Sequence, residues 1–518
     1  MPHLRRIVCA CIVLLAAQIA AADPPESQPA SQPATQPANS PAAPGDKLTV
    51  TEHELTINGQ PLKYRATAGT IGVKDEAGKP KADFFFIAYE RLPRPENIAL
   101  RPITFCFNGG PGAAAVWLHL GAVGPQRLKL NDNGDPPTPP YGLSDNPSTW
   151  LRFTDLVFID PVGTGFSRPA AGEKGEQFYG VQEDIHWVGD FIRLYTTRYE
   201  RWLSPKFLAG ESYGTTRAAG LSSYLVDEYG IGLNGIVLIS SVLSFQTLQP
   251  GGVNDLPYVL YLPSYTAVAW YHKKLPPDLQ AADRSKTLEE VATWSRQTYL
   301  PALAAGAALP ADQRRAVIEK LSRYTSLSPD FIDRAHLRID PGTFENQLLV
   351  DQQKAIGRFD GRITGYNPNT ISEWPSYDPS LSPYLAAYSG AFNDYVRRTL
   401  KYDSDLPYEV LSGKVNPWNF GRPGSGPLDV SGDLQEAMLK NPNLKVMFAS
   451  GYYDLATPFQ IASYTIDHFT LSPELRNNIE HTFYEGGHML YHYKPSLQKL
   501  TSDVQDFMER AMPREPGS

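Results

Sequence analysis

Phe207-Leu208-Ala209-Gly210-Glu211-Ser212-Tyr213-Gly214 reads as a short apolar strand running into a Gly-x-Ser-x-Gly turn. Thr215 to Tyr229 follows as a helix, with Leu221, Leu225 and Val226 on one face. A serine between two glycines at a strand-to-helix reversal is the pattern of a nucleophile elbow. The glycines permit the tight turn, and the helix aims its N-terminus at the reacting centre. Five residues recur in many unrelated chains, so the reading depends on whether the other parts of a hydrolase stand in the right order.

Upstream of the elbow, Thr49 to Ile57 alternates and Asn58-Gly59 signals a hairpin. Leu62 to Val73 continues as an extended segment, and Asp83 to Tyr89 and Ile103 to Phe107 are apolar strands. Leu156 to Ile159 is a buried strand, and Gln182 to Trp202 carries apolar residues at helical spacing. Downstream come strands at Gly235 to Ser240, Leu444 to Ala449 and about 480–484, then an amphipathic helix from Pro495 to Met512. Alternating strands and helices predict an α/β fold with a mostly parallel central sheet and helices on both faces. Between about 245 and 440 the alternation fails. An aromatic cluster (Tyr258, Tyr261, Tyr265, Trp270, Tyr271) precedes helical segments near 286–304, 310–323 and 380–401. That stretch is expected to be a largely helical insertion over the carboxyl ends of the strands, where open α/β sheets bind ligands.

The expected organisation is a signal peptide at 1–22, a linker at 23–46, a hydrolase core at 47–245 and 441–518, and the insertion at 246–440. Arg5 and Arg6 supply a positive start, Ile7 to Ile19 an apolar run, and Ala20-Ala21-Ala22 a small-residue cleavage site. The apolar run is too short for a good membrane span, with an uncleaved anchor as the alternative. Residues 23–46 are Pro, Ala, Ser and Gln with almost no apolar bulk, a composition that buries too little surface to fold. The mature chain keeps only Cys106, so no internal disulfide is expected; Cys106 reads as a packed core thiol. An exported chain without disulfides fits a bacterial periplasmic or secreted enzyme with a large core. The 47 basic against 55 acidic residues, a formal charge of −8, argue against a nucleic-acid partner. The sequence leaves the oligomeric state open.

A serine hydroxyl needs a general base, and the base needs an orienting carboxylate. In elbow hydrolases the chain order is Ser, then Asp or Glu, then His. Ser212, Asp454 and His488 stand in that order, the last two just past strand ends; Asp467 competes with Asp454, and His481 and His492 with His488. The Tyr213 amide is one oxyanion donor, and the loop Asn108-Gly109-Gly110-Pro111-Gly112 is the natural source of the second. No metal or organic cofactor is implied.

With these residues in view the chain resembles the serine carboxypeptidases. The resemblance rests on Asn108-Gly109-Gly110-Pro111-Gly112, Phe158-Ile159-Asp160-Pro161-Val162-Gly163-Thr164-Gly165-Phe166-Ser167, Gly210-Glu211-Ser212-Tyr213-Gly214, Gly451-Tyr452-Tyr453-Asp454 and Gly486-Gly487-His488. It implies an α/β-hydrolase fold, peptide substrates with a free C-terminus, and hydrolysis of the terminal peptide bond favoured at acidic pH. By the same resemblance Gly110 and Tyr213 supply the oxyanion hole, while Asn108, the Gly109 amide and Glu211 bind the substrate's terminal carboxylate. Glu211 suits that role only when protonated, since two carboxylates in contact repel. Two departures stand out. Ala113-Ala114-Ala115 replaces the family's usual Cys-Ser-Ser, and Ala122 stands before Val123-Gly124-Pro125 where the family often has a second carboxylate-binding Glu. An esterase or acyltransferase on the same scaffold is therefore the main rival, and a silent binding protein with a hydrolase fold the third reading.

Overall fold

A computed structural model describes residues 45–421 and 426–512. The expected signal peptide and all but the last two residues of the expected linker lie outside the described residues.

The chain opens on two long antiparallel strands, β1 (Lys47–Ile57) and β2 (Gln60–Lys74). Asn58 and Gly59 both take positive φ, 50° and 78°, as a two-residue hairpin turn requires. Next come β3 (Pro80–Leu92), β4 (Ile103–Phe107), β5 (Asp155–Ile159), β6 (Lys206–Glu211), β7 (Gly235–Ile239), β8 (Lys445–Gly451) and β9 (Ile479–Tyr484). They form one sheet in the order β1-β2-β3-β5-β4-β6-β7-β8-β9, with the two-residue strand Arg168–Pro169 beside β3. Every pairing from β5 to β9 is parallel, and the first three strands are antiparallel.

The central strands are apolar on both faces, the pattern of a sheet covered on both sides. Phe207, Ala209, Val237, Ile239, Met447 and Ala449 face one core. Leu208, Ile236, Leu238, Val446 and Phe448 face the other. Helices α1 (Val181–Arg198), α2 (Tyr213–Tyr229) and α6 (Ser431–Lys440) cover the second face, and α5 (Ser382–Arg398) and α7 (Lys494–Ala511) cover the first. A third core joins α3 (Leu256–Tyr271) and α4 (Ala311–Thr325) to Tyr453, Leu455, Phe459 and Ile461, which follow β8. Chain between β7 and β8 thus contributes to all three cores.

Two local expectations need correction. The helix expected over 182–202 ends at Arg198, because Glu200 turns to φ 56° and reverses the chain. The aromatic cluster at 258–271 is a helix, α3, buried almost all round and carrying Pro263 inside it. A helix without a polar face shows no 3.6-residue alternation, so periodicity is blind to it.

Candidate active site

Ser212 sits between β6 and α2 with φ 60° and ψ −131°, a conformation that non-glycine residues rarely hold. The flanking glycines are required by close approach. A Cβ on Gly210 would meet the Gly214 carbonyl oxygen at 2.3 Å, and one on Gly214 would meet the Phe107 carbonyl oxygen at 2.9 Å. The elbow is therefore wedged against the end of β4, whose next residues are Asn108, Gly109 and Gly110. A Cβ on Gly109 would lie 2.4 Å from the Tyr213 nitrogen, so the glycine loop and the start of α2 are in backbone contact. Gly110 takes φ +100°. Among the described residues the Gly110 and Tyr213 amides have no acceptor, and α2 adds its N-terminal dipole there.

Asp454 and His488 meet as expected. His488 Nδ1 lies 2.8 Å from Asp454 Oδ2, both buried. Asp454 Oδ1 accepts the Ala456 and Thr457 amides, each at 2.8 Å. The Thr457 hydroxyl lies 2.8 Å from Asp454 Oδ2, 2.9 Å from the Ser240 carbonyl and 3.1 Å from His488 Nδ1. Burial acts to depress the His488 pKa, but the Asp454 carboxylate outweighs it and the net shift is upward. No hydrogen bond joins Ser212 to His488 here, although both line one cleft; such bonds are often long before substrate arrives. The alternatives fall elsewhere. Asp467 is exposed, His481 contacts Ser450, and His492 stacks on Tyr384 and pairs with the Tyr388 hydroxyl.

Asn108 and Glu211 stand beside Ser212 in the same cleft, whose volume is about 130 Å³. Asn108 Nδ2 donates to Glu211 Oε1 at 3.1 Å, and its Oδ1 accepts the Leu118 amide at 3.0 Å. Burial lifts the Glu211 pKa to about 7, with His488 pulling against it. Glu211 Oε2 is buried without a hydrogen-bond partner, as is the hydroxyl of Tyr491, which faces Glu211 and Asn108. Ala122 is buried and does not line the cleft. Cys106 is a buried free thiol whose pKa is pushed up by burial.

Several positioning groups escaped the sequence reading. Arg217 on α2 forms a buried ion pair with Asp184 on α1 at 2.8 Å and donates to the Asn108 carbonyl at 2.6 Å, pinning the glycine loop. Its only trace in the sequence is a lone charge among small residues in the N-terminal half of α2. Asp160 accepts the Ala115 amide at 2.8 Å and steadies the far end of that loop. The segment Arg358-Phe359-Asp360 supports the acid and base loops. The Phe359 carbonyl accepts the His488 amide, Asp360 Oδ2 accepts the Gly487 amide, and the Arg358 carbonyl accepts the Leu455 amide. The Phe359 ring packs edge-on to the His488 imidazole, 5.0 Å between centroids. No spacing rule announces such contacts across a hundred residues.

Comparison with known proteins bears on this arrangement. The serine carboxypeptidase family model matches residues 57–501. The chain is similar to serine carboxypeptidase-like 51 of Arabidopsis thaliana, 31% identical over 178 residues, or 32% of this chain and 35% of that protein. It is similar to pheromone-processing carboxypeptidase kex1 of Aspergillus niger, 28% identical over 192 residues, or 35% and 28% of the two chains. It is similar to carboxypeptidase sxa2 of Schizosaccharomyces pombe, 28% identical over 174 residues, or 32% and 30%. The chain thus spans about a third of the length of these relatives. Among solved structures, proline iminopeptidase of Mycobacterium smegmatis matches 86% of this chain and 98% of its own at a TM-score of 0.35 and 15% identity. A carboxyl esterase of Bacillus coagulans covers the same shares at 0.34 and 13%.

Proposed function

This chain belongs to the serine carboxypeptidase family, and from that premise we propose that it hydrolyses the C-terminal peptide bond of peptides through Ser212, His488 and Asp454. Ser212 Oγ attacks the scissile carbonyl carbon and gives its proton to His488 Nε2. The oxygen that becomes negative is received by the Gly110 and Tyr213 amides. His488 returns the proton to the leaving nitrogen, the C–N bond breaks, and the terminal amino acid departs. Water then attacks the acyl-enzyme, His488 takes its proton and returns it to Ser212 Oγ. Asp454 stays ionised, holding the imidazole and balancing the imidazolium.

The observation that carries exopeptidase action is the Asn108–Glu211 pair at one end of the cleft, with Glu211 buried and its pKa lifted to about 7. A neutral acid beside a carboxamide donor accepts a carboxylate that an ionised Glu211 would repel. Glu211 thereby favours binding on the acid side, while His488 must lose its proton to serve as base. The two demands oppose each other. Ala122, with no acid at its position, is the observation that favours the esterase or acyltransferase reading. Export rests on residues 1–22 alone.

The test is hydrolysis of an N-blocked dipeptide beside its C-terminally amidated and esterified forms from about pH 4 to 8, with Ser212→Ala as control. Cleavage of the free acid, weakest at high pH and lost in the variant, supports the carboxypeptidase. Turnover of the ester alone supports the rival.

A further inference from the structure

We infer that Arg358 makes the cleft select substrates with an acidic side chain next to the scissile bond; this deepens the hydrolytic reading above and rests on it.

Arg358 is the sole lysine or arginine lining the cleft that holds Ser212 and His488. Apart from the site residues already described, the lining is mainly apolar, including Trp117, Val242, Phe245, Leu248 and Met489. The Arg358 backbone is fixed on both sides, its amide donating to Asp378 Oδ1 at 3.3 Å and its carbonyl accepting from Leu455 at 3.0 Å. The side chain is exposed, and its guanidinium makes no hydrogen bond or ion pair among the described residues; it rests 5.3 Å from the Phe359 ring. The other arginines of this region are satisfied. Arg362 is paired with Asp360, and Arg284 with Glu485.

Among the described residues no acid forms an ion pair with Arg358. Glu345 faces it but is buried, with a pKa pushed up to about 8, and so is largely protonated at neutral pH. Asp454 is taken by His488, Thr457 and two backbone amides. Asp378 spends Oδ1 on the amides of Arg358 and Ser380 and on the Ser380 hydroxyl. A guanidinium offers five donors in a planar fork that matches a carboxylate. One with no ion pair of its own in an otherwise largely apolar cleft wall favours a carboxylate over its uncharged isostere, because only the carboxylate adds a charge-assisted pair.

The test uses N-blocked dipeptides with Glu, Gln or Lys on either side of the scissile bond. Binding to the Ser212→Ala chain is measured by calorimetry, and kcat/KM is measured on the active chain. Glu is expected to exceed Gln roughly three- to tenfold at one of the two positions, less at high salt. Adding Arg358→Gln should erase that preference, and Arg358→Glu should turn it toward Lys. Equal binding of Glu and Gln peptides, or a preference that survives Arg358→Gln, overturns the inference. Equal loss of every free-acid peptide in Arg358→Gln also overturns it, since the guanidinium would then be reading the terminal carboxylate. If the active chain cleaves nothing while the Ser212→Ala chain still prefers Glu, the hydrolytic reading fails and the selectivity stands.

Discussion

Asn108 donates to Glu211 across 3.1 Å while its own backbone carbonyl is held by Arg217, so Glu211 and the glycine loop are positioned through one side chain and one peptide group. Changes at either end of this link are expected to be felt at the other.

The pH dependence should divide between binding and turnover. Glu211 is protonated below about 7 and ionised above it. KM for free-acid peptides should therefore rise above neutrality by up to tenfold per pH unit, with little such rise for amidated or ester substrates. The limb on the acid side should belong to kcat, because His488 is held above its ordinary pKa and must be neutral to act. Glu211→Gln should remove the alkaline rise in KM. If that rise is unchanged in the variant, Glu211 is not the group that reads the carboxylate.

Arg217→Met should cost about 3–5 kcal/mol of stability, because Asp184 would remain buried and charged. Adding Asp184→Asn should recover most of it in a urea titration. The double variant should still turn over slowly, since the Asn108 carbonyl has lost its donor. Full recovery of kcat along with stability would confine the pair to a folding role.

Thr457→Val removes a hydroxyl placed between Asp454, His488 and Ser240 without changing side-chain shape. A loss of about 1 kcal/mol in transition-state stabilisation, roughly fivefold in kcat with KM held, is expected. A change confined to KM would show that Thr457 serves the cleft wall and leaves the base untouched.

Stability should fall as pH rises above about 6.5, with Asp160 and Glu211 contributing up to about pH 7 and Glu345 up to about pH 8. Burial lifts the pKa of Asp160 and Glu211 to about 7 and of Glu345 to about 8. Each folded pKa lies above the unfolded one, so each contribution is complete at low pH and is lost up to the folded value. The buried histidines His119, His481 and His492 act in the opposite sense, but only below about 6.5, where the unfolded chain takes up protons. Glu345→Gln should remove on the order of 2 kcal/mol of the stability lost between pH 6.5 and 8. A Tm that is level across this range in the native chain would contradict the assignment of these acids.

The elements that the sequence announces are those whose physics is local. The elbow, the Asn58-Gly59 hairpin and the apolar strands ending at Asn108, Asp160 and Asp454 follow from turn chemistry and two-residue alternation. Ser212, Asp454 and His488 can be proposed together from the order that elbow hydrolases keep along the chain; the structure joins the last two directly and puts Ser212 in the same cleft as His488. What stayed hidden depends on contacts between distant segments. The helix α3 has no polar face to betray it, and Thr457, Tyr491 and Arg217 gain their positions only once the strands are side by side. Arg358 is ordinary in sequence and stands out only because its guanidinium has no hydrogen bond or ion pair among the described residues.

The carbonyls of Arg358 and Phe359 hold the Leu455 and His488 amides, so the chain between β7 and β8 is a bearing surface for the loops that carry Asp454 and His488. If Arg358 reads the substrate and His488 moves the proton as proposed, specificity and chemistry are not separate modules that can be exchanged at will. A lid transplanted from another hydrolase would bring its own backbone register, and the proton shuttle would be re-aimed by whatever carbonyl arrived at position 359. Variants that keep the main chain at 358–360 and the Phe359 and Asp360 side chains, and change Arg358 alone, are the ones expected to alter the cleft wall without moving His488.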